Sequence, residues 1–380
     1  RHREKRLGTQ EIVNFDISEE QQLLQQSVER FVNENYDLAT RRKLVDSPQG
    51  YSDDNWSQMA KLGWLALSFD ESDGGFGGNQ IDTMIVMEQF GRGLVVEPYF
   101  ANIVLGGGIL KQSSNLELKT SLLPGIITGD VRLTLAHAEE QSRFDLDDVV
   151  TTARADGDHY VLNGKKSMVP NAATATHVIV SARTGGGQRD KDGIALLLID
   201  SGDLDGNHFP TVDGGRASEL SLDNVRVPAE RIIGDFNLLA TAAHDAVLAL
   251  SAEALGCMEV LYKSTVDYTQ EREQFDHPLS DFQVVQHRMV DMFMEYEQCK
   301  SLLYRATLEA VQDAPTAVRT SHALKHLIGK SASFIGENAV QLHGGMGMTE
   351  ELAIGHYFKR LLVIESQFGN TDYHLTQFAD

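Results

Sequence analysis

Three short motifs in the last third of the chain carry residue types that bind anions. Arg272-Glu273-Gln274-Phe275 and Phe282-Gln283 lie between long amphipathic helical patterns, and Gln341-Leu342-His343-Gly344-Gly345 ends the last of them. Helix ends offer unpaired N–H groups, glycines let these groups approach a ligand closely, and an arginine forks two hydrogen bonds onto phosphate oxygens. Taken singly, each motif is better explained as a helix end. Their combination predicts a pyrophosphate site.

The order and spacing of these motifs resemble the C-terminal signature of the flavin-dependent acyl-CoA dehydrogenases. Asp73-Gly74-Gly75-Phe76-Gly77-Gly78 and the segment from Asp156 to Lys166 match the same family, so the resemblance covers nearly the whole chain. It implies FAD as cofactor, α,β-desaturation of an acyl-CoA, and electron transfer to an electron-transfer flavoprotein. It also implies a tetramer in which the flavin ring lies on a neighbouring subunit. The residues that it assigns to the adenine half of FAD are Arg272, Gln274, Phe275, Gln283, Gln341, Leu342, His343, Gly344, Gly345 and Thr371.

The glutamate that acts as the base in this family is missing from both of its expected positions. A positioned base is needed to remove the α-proton of a thioester and contributes about 10²–10⁴ in rate. One family position is a Tyr-Glu-Gly-Thr-like turn that aligns with residues 368–371, which puts Gly369 in place of the base. The other lies ten residues before Gly256 and is Ala246. On the flavin-ring side, Ala138 and Pro170 replace two hydroxyl residues of the family pattern.

Two hypotheses explain this loss. The chain is either a self-sufficient dehydrogenase with a relocated carboxylate base, for which Asp245, Glu253 and Asp372 are candidates, or the partner subunit of a heteromeric acyl-CoA dehydrogenase. We favour the second, because the residues for the adenine half survive while those for the ring do not. The chain resembles the small subunits of bacterial enzymes that act on dicarboxyl-CoA or steroid side-chain thioesters, including the pimeloyl-CoA dehydrogenase small subunit. A non-catalytic structural paralogue is a third hypothesis, which the intact glycine turn disfavours.

Composition narrows the classes of partner. The net charge of −22 over 380 residues argues against binding to nucleic acid or to an anionic membrane surface. Because CoA and FAD are anions, we expect basic residues, Arg272, Lys359 and Arg360 among them, to be concentrated at the site. Cys257 and Cys299 lie in apolar helical patterns, which predicts free buried thiols and a cytoplasmic location. The spacing of histidines and acids predicts no metal site.

The elements that must position these residues form an α+β chain with three domains. We predict an N-terminal helical domain over 16–130, a middle β domain over 131–235 and a C-terminal four-helix-bundle-like domain over 236–380, with residues 1–15 as a disordered leader. Ser18 and Gln21 predict a capping box at the first helix. Asp156-Gly157-Asp158 and Asn163-Gly164 predict two hairpin turns. The interrupted apolar stretch from Leu94 to Leu110 predicts no spanning helix.

Overall fold

The computed structural model describes residues 17–379, so the predicted leader 1–15 lies outside the described residues. The chain begins with helices that pack around one apolar core. Ser18 forms the predicted capping box with Gln21, which starts the first helix. The helices of this part are α1 (Glu19–Asn35), α2 (Leu38–Val45), α3 (Asp53–Lys61), α4 (Gln80–Gly93), α5 (Gly108–Gln112), which continues a π-helical segment (Phe100–Gly107), and α6 (Leu116–Thr128).

The middle of the chain is a sheet of eight strands. They run in the order β6-β7-β3-β2-β4-β5-β8, and β1 pairs in parallel with β4. The Gly157-Asp158 turn joins β2 to β3 as a hairpin, as predicted. The strands are β1 (Leu133–Ala136), β2 (Thr152–Asp156), β3 (His159–Pro170), β4 (His177–Arg183), β5 (Ile194–Asp200), β6 (Asp205–Pro210), β7 (Arg216–Pro228) and β8 (Ile232–Asp235).

The second predicted hairpin, at Asn163-Gly164, is wrong. Both residues lie inside β3, where the pairing with β7 shifts register between Leu162 and Gly164. Gly164 has a φ of +156°, and a Cβ there would collide with Thr151. The glycine therefore allows a bulge and a close backbone contact, which a short Asn-Gly signal does not distinguish from a turn.

The C-terminal part is again helical, and the predicted α+β fold class is confirmed. Helix α7 is apolar enough and long enough to cross a membrane by composition, but most of it is buried inside the protein as a core helix. Its glycine at position 256 lies against the backbone of α4, since a Cβ there would collide with the Glu88 carbonyl. The elements are α7 (Phe236–Glu271), β9 (Glu273–Gln274), β10 (His277–Pro278), α8 (Gln283–Val311), α9 (Ala317–His343), α10 (Ala353–Ser366) and α11 (Thr371–Ala379).

A buried ion cluster joins the three parts of the chain. Arg360 of α10 donates to both carboxylate oxygens of Glu253 on α7, at 2.6 and 2.7 Å, and to Asp213 between β6 and β7 at 2.8 Å. Arg41 of α2 donates to the Asp213 carbonyl at 2.7 Å and to the Leu94 carbonyl at 2.9 Å. Although burial opposes ionisation, the Arg360 guanidinium and its hydrogen bonds keep the pKa of Asp213 below its usual value.

The expectation that Arg360 and Lys359 serve an anion site is not supported by their contacts. Arg360 is committed to the buried cluster, and Lys359 pairs at the surface with Glu350 at 2.8 Å. Neighbouring basic residues in one sequence motif thus have different partners, because successive residues of a helix point in different directions.

We predict that Arg360→Met destabilises the fold by about 3–5 kcal/mol, because it leaves Glu253 and Asp213 buried without their shared cation. Urea unfolding of both proteins measures the difference. Lys359→Met is the matched control and should change the free energy of unfolding by less than about 1 kcal/mol, since its ion pair is exposed. Equal effects from the two substitutions would contradict the role of the cluster.

Candidate active site

The end of α7 and the end of α9 meet at one exposed corner. The Tyr268 ring stacks on His343 with centroids 4.3 Å apart, and the Arg272 N–H donates to the Tyr268 carbonyl at 2.8 Å. His343 itself is buried, and its Nδ1 donates to the Ala339 carbonyl at 2.8 Å. The structure therefore brings Arg272 and Gly344 to the same end of the molecule. The buried His343 side chain packs the end of α9 against the end of α7.

The geometry of this corner fits a diphosphate. Gly344 has a φ of +61°, and a Cβ built on Gly344 or Gly345 would meet no protein atom within 4 Å. Within residues 17–379, Arg272 makes no ion pair, so its guanidinium is free to bind an anion. Gln341 and Gln283 are exposed beside helix ends. An exposed cation next to open, unhindered backbone is the arrangement that phosphate oxygens require.

Phe275 is presented to solvent by a strained turn. Phe275 and Asp276 both have positive φ, at 56° and 65°, and connect β9 to β10. The Phe275 side chain is 84% exposed and lies edge-on to Phe282. Gln274 donates from its amide to the neighbouring Glu273 carbonyl at 2.8 Å. Further exposed apolar side chains lie on α8 and just after the glycine corner: Val284, Val290, Phe293, Met294, Met346 and Met348.

Thr371 lies far from this corner in the same chain. Its backbone N–H and its hydroxyl both donate to Glu365, and its hydroxyl lies against Gly329 in the middle of α9. Gly329 precedes His343 by fourteen residues, which corresponds to about 20 Å along a helix. Thr371, one of the ten residues assigned to the adenine half, therefore does not lie at the glycine corner.

A cavity of about 1000 Å³ opens between the three parts of the chain. Its walls come from the loop at Gly77-Gly78, from α7, from the junction of α8 and α9, and from the C-terminal turn and α11. The middle domain adds residues 144–147. The loop at Gly77-Gly78 thus helps to form a ligand-sized space.

The three candidate bases lie in different surroundings. Asp245 is half-buried and lines the cavity, and burial raises the pKa of its carboxyl to about 6. Glu253 is held in the buried ion cluster by Arg360, outside the cavity lining. Asp372 is exposed and also lies outside that lining. The structure therefore places one of the three, Asp245, where a ligand in the cavity could meet it.

The turn at residues 368–371, which aligns with the turn expected to carry the base, contacts His374, Lys325 and His137. Gly369 has a φ of +113°, and a Cβ there would lie 2.5 Å from Nε2 of His374. Lys325 donates to the carbonyls of residues 364, 365 and 369 at 2.9–3.0 Å, and burial lowers its pKa to about 7. Phe368 stacks on His137 with centroids 4.8 Å apart. An imidazole thus occupies the space next to Gly369, which sequence comparison of the turn alone does not reveal.

The acidic residues on the predicted flavin-ring side have structural partners. Glu139 accepts from Lys166 at 2.7 Å and from the backbone N–H groups of Val150 and Thr151. Both side chains of this ion pair are buried. Met168 is 57% exposed, with a φ of +53° at an irregularity of β3. Glu139 therefore supports the sheet, whereas the Met168 side chain is exposed.

Comparison with known proteins agrees with this architecture. Family models described as the N-terminal, middle and C-terminal domains of acyl-CoA dehydrogenase match residues 18–130, 134–225 and 236–380. The chain belongs to the acyl-CoA dehydrogenase family. This membership confirms the predicted enzyme class, a flavin-dependent acyl-CoA dehydrogenase, and FAD as its cofactor.

Individual relatives are distant but cover the whole fold. The protein named "Probable acyl-CoA dehydrogenase YngJ" from Bacillus subtilis (strain 168) is 27% identical over 372 residues, which is 95% of this chain and 97% of the relative. The solved steroid ACAD Tcur3481-Tcur3483 is 28% identical with a TM-score of 0.87, and the match covers 95% of this chain and 97% of that one. The FAD complex of PigA is 26% identical with a TM-score of 0.88, covering 97% and 98%.

We predict that Asp245→Asn changes how stability depends on pH. The folded pKa of about 6 lies above the ordinary 3.8, so the folded state keeps this proton longer than the unfolded state does. Stability is therefore lost as pH rises from about 4 to about 6, by up to about 3 kcal/mol. The asparagine variant lacks this loss and should gain stability relative to the parent protein between about pH 4 and about pH 7.

Urea unfolding at the two pH values measures this difference. The exposed Asp372→Asn is the control and should show no comparable gain. A gain that is equal for both variants, or absent for Asp245→Asn, would mean that the Asp245 carboxyl ionises as it does in the unfolded chain.

Proposed function

We propose that the chain is one of two kinds of subunit in a heteromeric acyl-CoA dehydrogenase. In this assembly its Arg272 and glycine corner hold the adenine half of an FAD whose ring lies on a sister subunit. The observation that carries the proposal is the open corner itself: Gly344 and Gly345 are unhindered, and the exposed Arg272, which makes no ion pair within residues 17–379, lies at the same end of the molecule. The residues predicted for the adenine half are thus present in a chain that has Gly369 and Ala246 at the two positions expected for the catalytic glutamate.

The separation of the two regions supports sharing of the cofactor between chains. The glycine corner lies at the far end of α9 from the turn that carries Thr371 and Phe368. The exposed apolar side chains near Phe275 and along α8 are a surface that another chain would cover. In addition, a solved relative, the steroid ACAD Tcur3481-Tcur3483, bears a double name. Its 28% identity makes a bulky acyl group, such as a steroid side chain, a reasonable substrate class.

Each part of the chain has a separate task in this proposal. Bound FAD supplies the acceptor for the β-hydride of the acyl thioester. Arg272 would hold the diphosphate by hydrogen bonds from its guanidinium, and the N–H groups of Gly344 and Gly345 would be further donors. Phe275 offers an aromatic face for the adenine. Gln274, Gln283 and Gln341 supply amide groups at the rim.

The cavity favours a second candidate function for this chain. A space of about 1000 Å³ that contains a carboxyl with a raised pKa, Asp245, is suited to an acyl thioester and a proton acceptor. The chain would then desaturate a substrate of its own with a relocated base. Both functions can coexist, because the corner and the cavity would serve different FAD molecules.

The proposed partners follow from the same chemistry. They are an acyl-CoA, a sister acyl-CoA dehydrogenase subunit of the pimeloyl-CoA dehydrogenase type, and an electron-transfer flavoprotein that receives the electrons. We propose a tetramer as the assembly. We propose the cytoplasm as the location, in keeping with two free buried cysteines.

We predict that the full-length chain purified alone retains little FAD, whereas co-expression with its sister subunit gives a yellow complex. The reason is that a corner on one chain and a ring site on another are both needed to bury the cofactor. Flavin absorbance per protein and size-exclusion chromatography measure the two preparations. Full FAD content in the isolated chain, without the sister subunit, would overturn the heteromeric assignment, and a colourless complex would favour the structural paralogue.

We also predict that Arg272→Met weakens FAD binding to the complex about 10–100-fold, since it removes hydrogen bonds to charged oxygens worth about 1.5–3 kcal/mol. Titration of the apo complex with FAD measures the affinity. Arg305→Met, which breaks an exposed ion pair with Glu309 on α8, is the matched control and should leave the affinity unchanged. An unchanged affinity for Arg272→Met would refute the diphosphate role.

A further inference from the structure

A chain of histidines runs from the turn at Gly369 into the cavity. Nε2 of His374 lies 3.0 Å from the Phe368 carbonyl, and its Nδ1 lies 2.8 Å from Nδ1 of His322. Both histidines line the cavity of about 1000 Å³. His374 therefore fills the space beside Gly369 and connects it to a second imidazole on α9.

The hydrogen-bond partners determine which nitrogens carry protons. A carbonyl oxygen only accepts, so Nε2 of His374 must donate to Phe368. In the neutral ring, Nδ1 of His374 is then an acceptor, and Nδ1 of His322 must donate to it. Nε2 of His322 is consequently an unprotonated nitrogen. Among residues 17–379 it has no hydrogen-bond partner.

Burial keeps both rings neutral. It lowers the pKa of His374 to about 3, with nearby Lys325 and His322 adding to the effect, and it lowers the pKa of His322 as well. A neutral imidazole whose donor nitrogen is already engaged resembles the oriented base of many enzymes, since its lone pair has a fixed direction.

We propose that His322 is the proton acceptor for an acyl thioester bound in the cavity of this chain, oriented by His374, in place of the glutamate missing at Gly369. The inference rests on the second proposed function, that this cavity receives the thioester. In the step, the Cα–H bond breaks, its electron pair passes into the thioester enolate, and the proton forms an N–H bond at Nε2 of His322. His374 acts as a positioning residue through the Nδ1 contact.

Two other groups in the cavity are rivals for this role. Asp245 is the carboxylate candidate, and His244 also lines the cavity, with its Nδ1 3.1 Å from the Ser321 hydroxyl. That hydroxyl donates to the Val318 carbonyl at 2.7 Å, so His244 also donates from Nδ1. Within residues 17–379, neither Asp245 nor His244 is hydrogen-bonded to the turn at Gly369. His322 is linked to that turn through its hydrogen bond with His374.

The test is exchange of the α-hydrogen of an acyl-CoA with deuterium oxide, followed by mass spectrometry, in the full-length chain with added FAD. Exchange only needs a base and transfers no electrons to an acceptor. We expect His322→Gln to slow exchange about 10²-fold or more, since glutamine keeps the size and polarity but takes no proton. His326→Gln is the matched control: it removes a similar bond on the same helix, to the Thr371 carbonyl, but His326 lies outside the cavity lining. It should exchange as the parent does.

The positioning role of His374 has its own readout. Diethyl pyrocarbonate acylates accessible unprotonated imidazole nitrogens, so His322 should be modified readily, and bound acyl-CoA should protect it. His374→Asn retains an acceptor near Nδ1 and should keep both the labelling and most of the exchange. His374→Leu removes the acceptor and should lower both.

Three results would overturn all or part of this proposal. Exchange that persists in His322→Gln and disappears in Asp245→Asn or His244→Gln overturns the proposal and gives the role to that residue. Binding of acyl-CoA without His322-dependent exchange overturns the histidine assignment alone. Failure of the chain to bind any acyl-CoA, measured by calorimetry, overturns the proposed use of this cavity together with the assignment. FAD retention in the complex tests the heteromeric function separately.

Discussion

A cluster of two guanidinium groups and two carboxylates joins the three parts of this protein. Arg360 bridges Glu253 on α7 and Asp213 from the β domain, and Arg41 ties the same loop to the N-terminal helices. The cavity lies between these three parts, so its shape depends on their relative positions. Burying charges is costly unless every partner is satisfied, and this cluster satisfies them with short, bidentate hydrogen bonds. The ion cluster thus contributes to the arrangement of the three parts between which the cavity lies.

The long helix α9 separates two regions with different roles. At one end lies the glycine corner with Arg272, open to solvent and suited to a diphosphate. Along its earlier turns lie Lys325, His322 and His326, which contact the C-terminal turn and α11. One rigid helix therefore sets the distance between a nucleotide surface and a cavity. The cofactor sharing that we propose would depend on this spacing.

The turn at residues 368–371 is packed by the side chains of His137 and His374. Gly369 takes a conformation that other residues rarely adopt, and His374 fills the adjacent space. Phe368 stacks on His137, whose pKa burial lowers to about 4. Aromatic and imidazole rings thus pack around this turn, and Asp245 lies at the cavity wall.

The amino-acid sequence determined the family and the α+β fold class, because these depend on motif spacing and on periodic apolar patterns. From the glycines at helix ends it also predicts the residues of the glycine corner, which stay a prediction. The tertiary structure decided which residues that lie far apart in the chain contact each other. It placed Glu253 with Arg360, set Thr371 apart from Gly344, turned Asn163-Gly164 into a bulge, and joined His322 to His374 across 52 positions. A side chain's chemistry depends on which groups surround it, and residues far apart in the chain become neighbours only when the helices and the sheet pack together.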